Sequence, residues 1–321
     1  MCITLLTTAH PIYPFILLNN RDEFLSRPTA PAQWWDFPNS HILGGRDLQR
    51  SERGTWLGIT TDGRISNLTN FRDEDAREIS KDKSRGALVN AYLTMEHESD
   101  EAFVKYLVDE IGVGNVGGFT LLFGRLRNPK SGSRPGLGIV SNRTRSVEEV
   151  KRIADRSGQT LGVSNSHYGD LSWPKVVQGE LLLKETVQAN MTRRDDREHF
   201  INSLFDILSV DTLPRPQPGD DFQVYTRQMR KSILIPPVGA ESGRSKPADK
   251  VAIENRTDTS DHNCAKAGEG LYGTQQQTVI LVDREGKVVY VERTLHDAKG
   301  EQMQKDMNER RYEFQIRGWD D

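Results

Sequence analysis

The sequence predicts an α+β domain in which antiparallel hairpins build the sheets and the helices sit in a block between them. Three observations predict it. β-branched and apolar runs bracket turn residues near both ends of the chain. Amphipathic runs of helical period fill the middle. The two patterns do not alternate in the strand–helix–strand fashion that marks a parallel sheet.

Taken in order, Cys2 to Thr8 and Ile12 to Asn19 are apolar runs separated by Ala9, His10 and Pro11, a first hairpin. With its turn centred near His10, antiparallel pairing sets Cys2 opposite about Asn19. Thr55 to Thr60 and Ile65 to Phe71 flank Asp62-Gly63, whose glycine tolerates positive φ. Leu88, Tyr92 and Met95 share a face over Arg85 to Met95, and Phe103, Leu107 and Ile111 share one over Glu101 to Ile111, so both stretches predict helices. Phe119 to Phe123, Leu137 to Ser141 and Leu161 to Ser164 predict short strands. Lys175 to Gln188 and Arg197 to Leu208 predict two further helices, the second with Phe200, Leu204 and Ile207 in register. Thr278 to Val282 and Val288 to Arg293 form a last hairpin around Gly286. Pro214-Arg215-Pro216-Gln217-Pro218 reads as an extended connector. Pro236 to Gly270, rich in Gly, Ser, Pro, Lys and Asp, buries too little apolar surface to offset its ordering entropy, so it reads as a flexible insertion in a single domain over 1–321.

Charged residues make up 28% of the 321 positions and the formal net charge is -3, which argues against an electrostatic nucleic-acid binder. The early apolar stretch Ile12 to Leu18 stops at Asn19, well short of the roughly 18 residues that suggest a transmembrane helix. No Lys or Arg precedes Arg21, so neither a secretory signal nor an Arg-rich transit peptide is evident, and a cytoplasmic protein is expected. Two cysteines, Cys2 and Cys264, are too few for a disulfide framework or a Cys-based zinc site. The seven histidines include no pair at i, i+3 or i, i+4, so no metal site is expected.

Chemistry concentrates at the start. Removal of Met1 would expose an α-amine beside the Cys2 thiol, and a free α-amine ordinarily titrates at roughly 7.7 to 8.0, which suits a base. The polar run Asn19-Asn20-Arg21-Asp22-Glu23 falls at the same sheet end, where Arg21 and Asp22 can orient the amine and favour the thiolate. The plain alternatives are an apolar cysteine opening a strand and a strand end entering solvent. Trp34, Trp35 and Trp56 read as core aromatics ahead of cleft residues.

Asn20-Arg21-Asp22-Glu23 resembles the Asn-Arg-Asp-Glu signature of the transport and Golgi organization protein 2 family. Further matches are Met1-Cys2, Gly44-Gly45-Arg46-Asp47, Gly54-Thr55-Trp56-Leu57-Gly58, Leu68-Thr69-Asn70-Phe71, Arg85-Gly86, Tyr272-Gly273-Thr274, Thr278 to Asp283 and Glu292-Arg293. That family is distantly similar to N-terminal-nucleophile hydrolases of the penicillin V acylase and bile salt hydrolase kind, which implies a four-layer αββα sandwich. Carried over, the resemblance makes Cys2 the nucleophile, Asp22 the amine-orienting acid, and Asn70 and Asn165 the oxyanion candidates. Asn19, Asn20, Arg21 and Glu23 are the accompanying binding candidates. Where the acylases have Arg-x-x-Asp, this chain has adjacent Arg21-Asp22, and their late leaving-group arginine has no secure counterpart. The resemblance implies a role in Golgi organisation and secretion and in haem or acyl-lipid (acyl-CoA) homeostasis, as a carrier of a small ligand such as haem, an acyl-CoA or an N-acyl compound. Its rival is a cysteine hydrolase or acyltransferase acting on a non-peptide C–N bond. No cofactor is required on either reading. Haem enters only as a transported ligand, and transient membrane contact and a mitochondrial or Golgi association stay open.

Overall fold

A computed structural model describes residues 1–70, 84–96, 99–128, 136–215, 226–239, 270–304 and 308–320. The elements are β1 (Ile3–Thr7), β2 (Phe15–Phe24), β3 (Thr29–Trp34), β4 (Ile42–Asp47), β5 (Leu57–Thr60), β6 (Arg64–Asn70), α1 (Arg85–Thr94) and α2 (Asp100–Lys105), the last running on as a π-helical stretch over Tyr106–Ile111. They continue as β7 (Phe119–Arg125), β8 (Leu137–Ser141), β9 (Lys151–Ile153), β10 (Thr160–Val163), α3 (Pro174–Arg193), α4 (Arg197–Leu208), β11 (Tyr272–Val282), β12 (Lys287–Thr294) and β13 (Glu309–Gln315).

The strands pair antiparallel into a six-stranded sheet, β10-β1-β2-β11-β12-β13, and a seven-stranded sheet, β3-β4-β5-β6-β7-β8-β9. Period-2 alternation decides what each face buries. In β2, Phe15 and Leu17 point at the second sheet, where they meet Leu43, Trp56, Leu57 and Leu122. Ile16 and Leu18 point the other way, onto Leu183 and Val187 of α3 and Leu204 and Phe205 of α4. The outer face of the second sheet is covered by Leu88, Val89, Tyr92 and Leu93 of α1 and Phe103 and Val104 of α2. The result is the four-layer αββα sandwich, with its largest apolar cluster between the sheets.

Local signals explain the helix ends. The Asp196 side chain accepts from His199 N at 2.8 Å to cap α4, and Ser99 caps α2 from Ala102 N. Pro174 opens α3, which ends at Arg193, five residues beyond the expected Gln188, and is closed by Arg194 at φ 57. Gly54 has ordinary φ; a Cβ there would sit 2.9 Å from the Gly86 backbone, so the pair lets the β4–β5 connection touch the start of α1.

Two expectations need correction at the chain's polar stretches. β2 does not stop at Asn19 but continues to Phe24, buried except at Glu23, and β11 begins at Tyr272 rather than Thr278. Each polar run is paired with the other: Asp22 lies opposite Thr274, Arg21 opposite Gln276 and Asn20 opposite Gln277. The expected insertion over 236–270 lies, for 240–269, outside the described residues, as do Cys264 and Pro216-Gln217-Pro218 of the connector. Its described flanks are packed, since Val238 is buried and bridges Tyr272.

Candidate functional site

Cys2 precedes β1 at the sheet end where β2 and β11 carry their polar runs. Ile3 pairs with Asn20 and Thr4 with Asn19, so extending the register by one residue sets Cys2 opposite Arg21, two residues beyond the expected Asn19. The turn is longer than its sequence suggests: His10 Nδ1 accepts from both Ile12 N and Tyr13 N at 3.1 Å, holding Thr8 to Pro14 as the connection. Strand alternation puts Cys2 on the face of Leu6 and Leu17, toward the second sheet.

Asp22 leaves β2 on the helix side and gathers the charged groups. Its Oδ1 accepts from Thr274 Oγ1 at 2.7 Å, and its Oδ2 lies 3.1 Å from the Met1 ammonium and 4.0 Å from Lys175 Nζ. The Met1 amine also donates to the Tyr272 hydroxyl, which in turn donates to the Asp22 carbonyl at 3.2 Å. Lys175 Nζ donates to the Met1 carbonyl, and Ser164 Oγ to the Cys2 carbonyl at 2.6 Å. The thiol sits 3.4 Å from Asp22 N, which donates to it, and 3.6 Å from the Asp22 carbonyl.

Burial sets the electrostatics of this cluster. It pushes the Cys2 thiol up, against the opposing pull of the neighbouring ammonium. It pushes the Met1 amine and the Lys175 ammonium down, against the attraction of Asp22. With Met1 in place the Cys2 nitrogen is an amide, so the α-amine at Asp22 belongs to the preceding residue.

The other candidates divide by strand alternation. Asn19 and Arg21 face the space between the sheets. Asn19 Nδ2 donates to Ile3 O and Thr4 Oγ1, while the Arg21 guanidinium lies 4.4 Å from the Trp56 ring and donates to Gln275 and Gln276. Asn20 faces the helices, where its amide donates to Leu208 O and Ile233 O at 2.8 and 2.9 Å. Glu23 turns to the rim, accepting from Phe24 N and lying 3.9 Å from Arg27. Asn70 ends β6 and Asn165 follows β10. These ends are tied by Thr69 Oγ1 donating to Ser164 O at 2.8 Å, and the β1–β10 register extended by two residues sets Asn165 opposite Cys2. The Oδ1 atoms of both asparagines are buried without a hydrogen-bond partner. Trp35 and Trp56 are core residues, and Trp34 packs half-buried against Tyr312 and Phe314.

Sequence reasoning missed Lys175, Tyr272 and Thr274 as parts of the site. Lys175 carried a signal: it lies in phase with Gly179, Leu183 and Val187, the buried face of α3, where an unpaired lysine is not tolerated. Among the described residues no group of three His, Cys, Asp or Glu could hold a metal ion, and no helix is long and apolar enough to cross a membrane.

A four-layer αββα sandwich carrying a cysteine at the head of its first strand, with an acid of the second strand on the adjoining amine, defines a protein of the N-terminal-nucleophile architecture. Two solved structures align with the chain at low identity. A Caenorhabditis elegans N-acylethanolamine-hydrolyzing acid amidase ortholog matches at TM-score 0.43 and 14% identity, covering 72% of this chain and 98% of its own. A variant conjugated bile acid hydrolase from Clostridium perfringens matches at TM-score 0.41 and 11% identity, covering 98% of each chain. The chain belongs to the Transport and Golgi organisation 2 family, whose model matches residues 1–297. The Homo sapiens Transport and Golgi organization protein 2 homolog is 30% identical to it over 89% of this chain and 88% of its own length.

Proposed function

We propose that this protein is a carrier of a small apolar ligand, an acyl compound or haem, that serves Golgi organisation and secretion from the cytoplasmic side of membranes. The observation that carries the reading is the state of the Cys2 end. The thiol is half-buried and its pKa is pushed up by desolvation, which works against the thiolate that a resting cysteine nucleophile needs. Family membership supports the transport and Golgi setting.

A second reading is favoured by one specific arrangement. Once Met1 is gone, the Cys2 amine adjoins Asp22 and Asn165 lies across from the thiol, which suits a cysteine amidase or acyltransferase. Amide hydrolysis and the binding of haemin and acyl-CoAs, measured on wild type, Cys2→Ala and Asn165→Ala, separate the two. A carrier binds ligand in the Asn165 variant within about twofold of wild type and turns over no N-acyl substrate. An enzyme loses turnover in Cys2→Ala and slows roughly a hundredfold or more in Asn165→Ala.

A further inference from the structure

Of the eight large apolar side chains that stand exposed among the described residues, four lie on α3 and the loop that enters it: Leu171 at 79%, Val177 at 48%, Leu181 at 55% and Met191 at 41%. The inward face of α3 is complete without them, since Val176, Leu183 and Val187 already pack into the cluster shared with the six-stranded sheet and α4. Val177 and Leu181 are one turn apart, and Lys184, Gln188 and Met191 carry the same outward stripe to the end of the helix. Apolar residues gathered along one helix face, unlike single scattered ones, mark a contact surface.

The charges along the stripe choose its occupant. Lys184 and Glu185 stand side by side at its middle, Arg193 and Arg194 are exposed at its end, and Asp170 precedes Leu171 at its start. A face that is acidic at one end and basic at the other fits its own reverse, which is what a two-fold contact between identical surfaces requires. In an antiparallel pair each residue meets the one equally far beyond the axis. An axis at Lys184 would set the two Lys184 ammonium groups against each other. An axis at Leu181 instead sets Leu181 on its own copy, brings Leu171 toward the partner's Met191 and lays Val177 along the aliphatic stem of the partner's Lys184. The same register brings Asp170 to the partner's Arg193 and runs the two helix dipoles antiparallel.

We propose that the outward face of α3 is the contact of a symmetric dimer, formed with a second copy of this chain in antiparallel register about Leu181. The loop over 166–173, which joins Asn165 to the helix of Lys175, is then held from outside by the partner. One helix face is a small contact, so the dimer is expected to be weak, with Kd on the order of 1–100 µM.

Sedimentation velocity of the full chain over about 1 to 200 µM brackets such a Kd and is expected to show a concentration-dependent passage from monomer to dimer. Because Leu181 meets its own copy, Leu181→Glu sets two carboxylates together and Leu181→Lys two ammonium groups, and each is expected to weaken the dimer at least tenfold. An equal mixture of the two variants sets Glu against Lys on the axis and is expected to regain dimer to within about threefold of wild type. Leu181 is exposed in the monomer, so the Tm of dilute protein is expected to stay unchanged in both. Should either fail to fold, Met191→Glu and Leu171→Lys, which meet across the seam, are measured apart and mixed in the same way. A chain that stays monomeric over the whole range, a Leu181→Glu protein that dimerises as tightly as wild type, or a mixture no better than its separate variants overturns the proposal.

Discussion

At the residue scale, the polar groups between the sheets are as telling as the thiol. Thr4, Asn19, Thr278 and Glu292 stand in one register row across β1, β2, β11 and β12, all buried, and Asn19 Oδ1, Thr278 Oγ1 and Glu292 Oε2 lack a hydrogen-bond partner. Glu292 Oε1 accepts from Ala32 N, but burial dominates and lifts its carboxyl to about 7, with Arg310 and Arg21 pulling the other way. An unfolded glutamate loses its proton near 4.5, so between 4.5 and about 7 the folded state holds a proton that the unfolded state has released. Stability therefore falls as pH rises through that window, by roughly 3 kcal/mol in all, and levels off above it. In Glu292→Gln the fall is expected to flatten, as read from urea midpoints between pH 5 and 8. A slope unchanged from wild type would show that another group titrates there. Glu292 stood in a motif, and its chemistry was still invisible, because a charged residue inside a strand reads as solvent-facing until the second sheet is laid over it. The surroundings of Asn20 were hidden for a related reason. It sits in the signature run, and its amide donates to the Leu208 carbonyl at the end of α4 and to the Ile233 carbonyl.

At the scale of elements, the strands with clean alternation or a glycine turn were legible, and so were all four helical stretches. Gly63 and Gly286 have φ of 81° and 80°, as the turns they were expected to make require. The strands that escaped notice break the pattern physically. β3 contains Pro31 and shifts register between Ala30 and Gln33, β4 carries Gly44-Gly45, and β9 has three residues. β13 reads Glu-Arg-Arg-Tyr-Glu-Phe-Gln, an edge strand whose charges pair with neighbours, Glu313 with Lys287 at 3.0 Å and Arg311 with Glu198 at 2.7 Å. The Gly54–Gly86 contact ties β4–β5 to α1 where no side chain fits. Gly86→Ala would place a Cβ 3.1 Å from Gly54 Cα and is expected to destabilise by about 1–3 kcal/mol, visible in thermal melts. A Tm unchanged from wild type would mean that the backbone yields there.

For the whole molecule, the sheet order matters more than the fold class. β1 and β2 do not lie at an edge; β10 flanks one side of the hairpin and β11 the other. The four-layer arrangement could be inferred only through resemblance, since no local pattern states which hairpin is central. The same order makes the region between β11 and the rest of the chain a tolerant place. A Cβ on Gly239 would lie 2.6 Å from the Gly270 carbonyl, so the two ends of 240–269 already meet. Replacing 240–269 by a short Gly-Ser turn is expected to leave the Tm within a few degrees, because closure entropy changes slowly with loop length. A drop of roughly 10 °C or more would show that the replaced residues contribute packing.

The central place of the hairpin also imposes an order of events during synthesis. Asp22 receives Thr274 and Tyr272 only from a strand made some 250 residues later, a delay on the order of tens of seconds at about 5–20 residues per second. Until then β11 does not cover that edge of β2, and the clasp formed on Met1 by Asp22, Tyr272 and Lys175 is incomplete. An aminopeptidase acting on the nascent chain therefore works on an open terminus, while one arriving after β11 has docked meets a terminus already held by its own fold. Removal of Met1 is therefore expected to be faster on the nascent chain than on the finished protein, where Asp22, Tyr272 and Lys175 hold it.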